Sequence, residues 1–157
     1  AVLVDIYKAF GVETRFESNS IFLNKITTDL KPQTYNLKDS PDIAQTIAVT
    51  CFGLGLECKL TGLHTLKIKE TDRLLALKTE LEKLGGNVHI SDNSLLLEAS
   101  TSIKDNIAIS TYNDHRMAMA FAPLALKRNL IIEDAMVISK SYPSFWEDLK
   151  SVGFKIS

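Results

Sequence analysis

The sequence predicts an α/β protein, and three observations predict it. Leucines recur at helical spacing, short apolar strands alternate around polar tips, and both features return after roughly 70 residues. The chain opens on "AVLVDIYKAFG", where Leu3, Ile6 and Phe10 follow the period of an amphipathic helix. No capping residue and no initiator Met precede that pattern, so the expectation is the tail of a longer chain. "VETRFESNSIFL" then reads as a hairpin whose tip, Ser18-Asn19, suits a two-residue turn, because Asn tolerates positive φ. "SPDIAQTIAVTCF" reads as a helix with Ser40 able to cap it and Pro41 at the first helical position.

"CKLTGLHTLKIKE" is a short strand leading into a helix over residues 71–84, where Leu74, Leu77, Leu81 and Leu84 line one face. Gly85 and Gly86 supply its stop. The same elements then recur. "NVHISDNSLLL" is a second hairpin with Asp92-Asn93 at its tip, and "YNDHRMAMAFAPL" a second helix, capped by Asn113 and kinked by Pro123. "RNLIIEDAMVISK" leads to a last helix over residues 144–152.

The correspondence is explicit. "KAFGVETRFESNSIFL" matches "EKLGGNVHISDNSLLL" at an offset of 74, Lys8 against Glu82. The following helices match at 72, which sets Asp42 against Asp114, and the strands after them at 71, which sets Lys69 against Lys140. One unit is helix, hairpin, helix, strand. The expected organisation is one body over residues 1–157, with repeat units roughly 1–70 and 71–142 and a further helix starting in 143–157. Its helices should cover one side of mixed sheets and pack together inside.

Composition narrows the function classes. With 45% hydrophobic and 24% charged residues in 157, the chain can bury a core. A net charge of −1 and a pI near 6.3 argue against a nucleic-acid partner. Cys51 and Cys58 lack metal-ligand spacing and read as reduced, buried thiols of a cytoplasmic protein, with no metal expected. No apolar run approaches the ~20 residues of a membrane span, and no signal-peptide pattern is present, so no membrane partner is expected.

The charged residues fall in a pattern. A helix start carries partial positive charge, yet Lys67, Lys69 and Arg73 crowd the one near residue 71, and Glu70 lies on the backward continuation of the leucine stripe. Asp42, "KIKETDR", "NDHRMAMAF" and "SKSYPSF" occupy equivalent places in the repeat, where strands meet helix starts. Singly, each has an ordinary reading: a dipole-complementing Asp42, exposed helical ion pairs for Lys69, Glu70 and Arg73, a capping Asp beside Arg116, a solvated Lys140. His64 and His89 show no partner pattern and read as structural. The shared location favours convergence of Lys69, Arg73, Arg116 and Lys140 on a multiply anionic ligand, for which Arg offers a bidentate fork and Lys a point charge.

These same stretches resemble the 5-enolpyruvylshikimate-3-phosphate synthase family. "KIKETDRLLALKTELEKLG" is similar to its signature, "YNDHRMAMAF" and "KSYPSFWEDL" to its two later motifs, and "DSPDIAQTIAV" to the segment with its proton acceptor. The resemblance runs over essentially the whole chain. It implies repeated βαβαββ units of the enolpyruvyl transferase inverse α/β barrel, about two of six being present, with the N-terminal domain absent. It implies transfer of the enolpyruvyl group of phosphoenolpyruvate to the 5-hydroxyl of shikimate 3-phosphate with release of phosphate, a shikimate-pathway step towards aromatic amino acids. It also implies that neither metal nor redox cofactor is needed.

By the same resemblance, Asp42 is the acid/base residue at the shikimate hydroxyl and Glu70 the acid that protonates the methylene carbon of phosphoenolpyruvate. Such an acid must hold its proton near neutral pH, which burial favours and neighbouring cations oppose. Lys69 lies near the shikimate hydroxyl, Arg73, Arg116 and Lys140 bind phosphoenolpyruvate, and His115 supports them. Thr65 stands where the family often has an Asn that contacts the shikimate ligand. Half a cleft should be inactive by itself and gain activity with the missing domain as partner. Two other readings are a relative of the transferase acting on UDP-N-acetylglucosamine and a non-catalytic binding module of the same fold.

Overall fold

A computed structural model describes residues 2–27, 29–69 and 71–157; Glu70 therefore lies outside the described residues. The chain divides into two compact units, Ala1–Pro32 and Gln33–Ser157. This partition by contacts differs from the partition by repeat, whose boundary lies near residue 70, because the hairpin of the second repeat joins a sheet of the first (below).

In the first unit, α1 (Val2–Ala9) buries Ile6 and stacks Tyr7 edge-on against Phe10, ring centroids 5.4 Å apart. Gly11, at φ 82°, turns the chain into the antiparallel hairpin of β1 (Val12–Glu17) and β2 (Ser20–Lys25), paired from Val12↔Lys25 to Glu17↔Ser20. The two-residue turn is the expected one, but the left-handed residue is Ser18, at φ 43°, and not Asn19.

The second unit holds a four-stranded sheet of β3 (Gln33–Asn36), β4 (Cys58–Thr61), β5 (Val88–Ile90) and β6 (Leu95–Leu97) in the order β3-β4-β6-β5. β3 and β4 are parallel, while β6 runs antiparallel to both β4 and β5. The second hairpin thus completes the first repeat's sheet, with Cys58 opposite Leu97. A separate parallel pair, β7 (Ile107–Ile109) and β8 (Leu130–Ile132), stands where β3 and β4 stand in the first repeat.

The α-helices among the described residues of this unit are α2 (Ala44–Leu54), α3 (Arg73–Lys83), α4 (His115–Phe121) and α5 (Phe145–Ser151). α2 and α4, the equivalent helices of the two repeats, pack on each other. The leucine stripe behaves as its spacing predicts: Leu74, Leu77, Leu81 and Leu84 are fully buried, as are the apolar side chains of Ile47, Phe52, Leu60, Leu95 and Leu97. Burying a side chain of this size contributes about 1.5–3 kcal/mol. Cys51 and Cys58 are buried free thiols. No helix among the described residues is long and apolar enough to cross a membrane.

The helix starts depart from expectation in three places. Pro41–Ile43 forms a 3₁₀ turn and the α-helix begins at Ala44; the Ser40 side chain makes no capping bond. Asn113 does not cap α4. It is left-handed, at φ 56°, and Asp114 takes the cap in extended geometry. α3 begins at Arg73 with Asp72 as its cap, so its start carries the carboxylate that the dipole favours. Pro123 ends the α-helix where a kink was expected: α4 stops at Phe121 and continues as a 3₁₀ turn, because proline lacks an N–H and its ring clashes one turn back.

Candidate active site

Three separate segments of the second unit bring charge to one place. The first follows β3. Leu37 N donates to Thr61 O at 2.9 Å and Lys38 N to Asn36 Oδ1 at 3.1 Å, which folds the turn that delivers Asp42. That turn passes so close to Gly62, at φ 75°, that a Cβ there would lie 2.5 Å from Lys38 N. The second segment is the start of α3, where Asp72 accepts from Leu75 N at 3.1 Å and so fixes the first helical residue, Arg73. The third is the connection from β7 to α4. Tyr112 and Asn113 are both left-handed there, at φ 54° and 56°. For a non-glycine residue this costs about 1–2 kcal/mol, most for the bulky tyrosine.

Arg73 is the centre, with its side chain only 2% exposed. Its Nε donates to Asp114 Oδ2 at 2.7 Å and its Nη1 to Asp42 Oδ1 at 2.9 Å. Asp114 is fully buried and accepts two further bonds, from Gln45 Nε2 at 3.2 Å and from the backbone N–H of Arg116 at 2.9 Å. The second is the α4 cap. Arg116 reaches back to Asp42: Nη1 donates to its backbone O at 3.3 Å and Nη2 lies 3.6 Å from Oδ2. Lys69 Nζ lies 3.5 Å from Asp42 Oδ1.

Asp42 therefore faces three cations from the other two segments, Lys69 and Arg73 from the start of α3 and Arg116 from α4. The cluster has a dry floor and a wet rim. Arg73 and Asp114 form a buried pair in which removing one partner strands the other's charge, whereas Asp42, Lys69 and Arg116 are each more than a third exposed and screened by water.

Of the residues singled out by sequence, Asp42, Lys69, Arg73 and Arg116 come together. Lys140, at the end of the 3₁₀ turn Ala135–Lys140, is exposed and makes no ion pair among the described residues. His115 is half-buried on the first turn of α4, its side chain without a hydrogen bond among them. Thr65 has a buried hydroxyl with no partner among the described residues. Lys67 belongs elsewhere: its Nζ pairs with Asp92 at the second hairpin's tip, raising the lysine pKa and lowering that of Asp92. His89 pairs with Glu98 at 2.8 Å across the outer face of the same hairpin.

Asp114 and Gln45 escaped the sequence reading as site residues. The signal for Asp114 was present in its match to Asp42; for Gln45 there was only a polar residue on an otherwise apolar helix. Tyr112 adds a third, its phenol pushed up to about 12 by burial first and then by the carboxylate of Glu80. No group of three or more His, Cys, Asp or Glu among the described residues is arranged to hold a metal ion. A groove of about 610 Å³ between β8 and α5, bordered by Leu130, Ile132, Trp146 and Phe154, includes none of the charged cluster.

The fold is that of the enolpyruvyl transferases. A solved EPSP synthase from Acinetobacter baumannii superposes with a TM-score of 0.78 at 21% identity, over 99% of this chain and 39% of that one. The enolpyruvyl transferase NikO of Streptomyces tendae gives 0.70 at 17%, over 98% and 35%. Within that class the chain belongs to the EPSP synthase (3-phosphoshikimate 1-carboxyvinyltransferase) family, whose model matches residues 1–149. It is 43% identical over 155 residues to the 3-phosphoshikimate 1-carboxyvinyltransferase of Bacteroides fragilis, and 33% identical over 157 to that of Clostridium kluyveri. These alignments cover 97% and 99% of this chain but only 38% and 36% of the relatives, so the chain spans little more than a third of their length.

Proposed function

We propose that this chain is part of an enolpyruvyl transferase that joins phosphoenolpyruvate to the 5-hydroxyl of shikimate 3-phosphate, in the cytoplasm, on the route to aromatic amino acids. The observation that carries the reading is the convergence of Lys69, Arg73 and Arg116 on the Asp42 carboxylate. Phosphoenolpyruvate bears a carboxylate and a phosphate, and cations clustered on a preorganised floor offset that charge and orient the donor. In this proposal Arg73, Arg116 and Lys140 bind the donor, Arg116 from the exposed rim and Arg73 from the buried floor. Lys69 lies at the shikimate hydroxyl, and His115 supports the cluster.

The chemistry follows in two steps. The shikimate hydroxyl oxygen attacks C2 of phosphoenolpyruvate as Asp42 takes its proton, while Glu70 protonates C3, turning the methylene into a methyl group. The product of addition is a tetrahedral ketal that still carries phosphate. Loss of a proton from the methyl group then restores the double bond and expels phosphate, leaving the enolpyruvyl ether. The rest of the cleft, including the part that holds the shikimate phosphate, is proposed to come from segments that the longer relatives have beyond the matched third.

Phosphate release by the full-length enzyme tests the reading. Turnover should require both phosphoenolpyruvate and shikimate 3-phosphate, and residues 1–157 alone should show none. Turnover with UDP-N-acetylglucosamine in place of the shikimate ester would move the assignment to the sister reaction. Substrate-independent binding with no turnover would leave a non-catalytic module.

A further inference from the structure

Arg73 and Asp114 meet because one helix grips one connection at two points, and the second point lies away from the charged cluster. Glu80, on α3 two turns (about 10 Å) beyond Arg73, is 1% exposed. Its Oε1 accepts from the Tyr112 hydroxyl at 2.7 Å, and its Oε2 from the backbone N–H of Ser110 at 3.2 Å. Lys83, one turn further along α3, pairs with the same carboxylate at 2.5 Å. Ser110 is also held from the other side: its hydroxyl donates to Glu133 Oε2 at 2.6 Å, and Glu133 N to Ile109 O at 2.9 Å.

Residues 110 and 112 are thus fixed to the middle of α3, while residue 114 is fixed to its start. Between the two grips lie the left-handed pair Tyr112 and Asn113 and the bond from Asp114 N to Thr111 O at 2.8 Å. A left-handed tyrosine relaxes to ordinary backbone unless something restrains it. Its side chain is restrained by Glu80, with the adjacent Thr79 as a second hydrogen-bond partner. If it were released, the connection would lengthen or swing, and Asp114 would leave both Arg73 Nε and the α4 cap that sets Arg116.

We propose that Glu80 is a positioning residue for the anion-binding cluster: through Tyr112 and Ser110 it holds the 110–114 connection in the conformation that places Asp114 on Arg73 and Arg116 at the rim. The catalytic consequence rests on the transferase reading given above; the geometric consequence does not. Among the described residues Glu80's side-chain partners are Ser110, Tyr112 and Lys83, none of which pairs with Asp42. Its effect passes entirely through the connection.

The test uses the full-length enzyme with Tyr112→Phe, Glu80→Ala and Glu80→Gln, and reads two quantities. The first is hydrogen exchange at Arg73 Nε–H by NMR, which the Asp114 contact slows in the parent. The second is the split of kinetic change between KM for phosphoenolpyruvate and kcat. Tyr112→Phe deletes one hydroxyl and keeps the ring; it should speed Nε–H exchange and raise KM about three- to ten-fold, one buried hydrogen bond's worth, with kcat within about two-fold. Glu80→Ala should do more, and Glu80→Gln, which keeps an acceptor, should recover part of that loss. Should Glu80→Ala fail to fold, Tyr112→Phe and Glu80→Gln still decide the matter. Unchanged Nε–H exchange in those two variants overturns the proposal, as does a fall in thermal stability with KM unmoved. A parent enzyme without turnover whose Arg73 signal nevertheless responds would sink the functional reading and keep the positioning role.

Discussion

Asp114→Ala is the most informative single perturbation of the cluster. The side chain is fully buried and makes three bonds: to Arg73 Nε at 2.7 Å, to Gln45 Nε2 at 3.2 Å and to Arg116 N at 2.9 Å. Breaking a buried ion pair from one side costs about 3–5 kcal/mol, because the remaining charge stays desolvated. Loss of the helix cap adds about 1 kcal/mol. Against this, Arg73 keeps Asp42 at 2.9 Å, a partner 40% exposed to water and so worth no more than about 1 kcal/mol in return. The balance is a destabilisation of about 3–5 kcal/mol. Asp114→Asn keeps the shape and one acceptor for the cap and loses less, about 1.5–3 kcal/mol, the range for a hydrogen bond to a charged group. Urea unfolding followed by circular dichroism measures both. Because the pair is buried, the loss should barely change between about 0.05 and about 0.5 M salt, which screens exposed charges. A loss below about 1 kcal/mol for Asp114→Ala, or one that fades at high salt, would show that the floor of the cluster is solvated and the argument wrong.

Other outcomes follow from single features. The folded-state phenol of Tyr112 lies at about 12, above its ordinary value, so its contribution to stability is complete below about pH 10 and is lost as pH climbs through about 12. Unfolding midpoints measured across that range should fall more steeply for the parent than for Tyr112→Phe, and equal slopes would contradict the assignment. Gly62→Ala forces a left-handed alanine and sets a Cβ against the turn that carries Asp42; a loss of about 2–4 kcal/mol in the same unfolding assay is expected, and a neutral result would mean that the turn has room.

The parts of the fold that sequence revealed are those written in periodic or repeated signals. The leucine stripe of α3 and the hairpin tips need only local geometry, and the match of Asp42 to Asp114 sets both charged residues at equivalent helix starts. What stayed hidden depended on long-range pairing. Nothing local says that β6 will dock on β4 of the preceding repeat, or that Gln45, a polar residue on an apolar helix, will turn towards Asp114. Cap geometry was misread where backbone conformation decided it: Asn113 and Asp114 are both good caps by residue type, and only the left-handed φ of Asn113 passes the role on. Arg73 read as one of the cations converging on an anionic ligand, but nothing local showed that carboxylates from two other segments, Asp42 and Asp114, would bury it.

The central claim is that the wet rim of this cluster binds the doubly anionic donor in the complete enzyme. Arg116 is the residue to probe, since its side chain is 39% exposed and its pair with Asp42 contributes little to folding. Titration of phosphoenolpyruvate into the full-length enzyme with shikimate 3-phosphate present, for the parent and for Arg116→Ala, measures this directly. The account predicts an affinity about ten- to a hundred-fold weaker in the variant with the fold intact, as expected for a lost charge-assisted bond. An unchanged isotherm would contradict it.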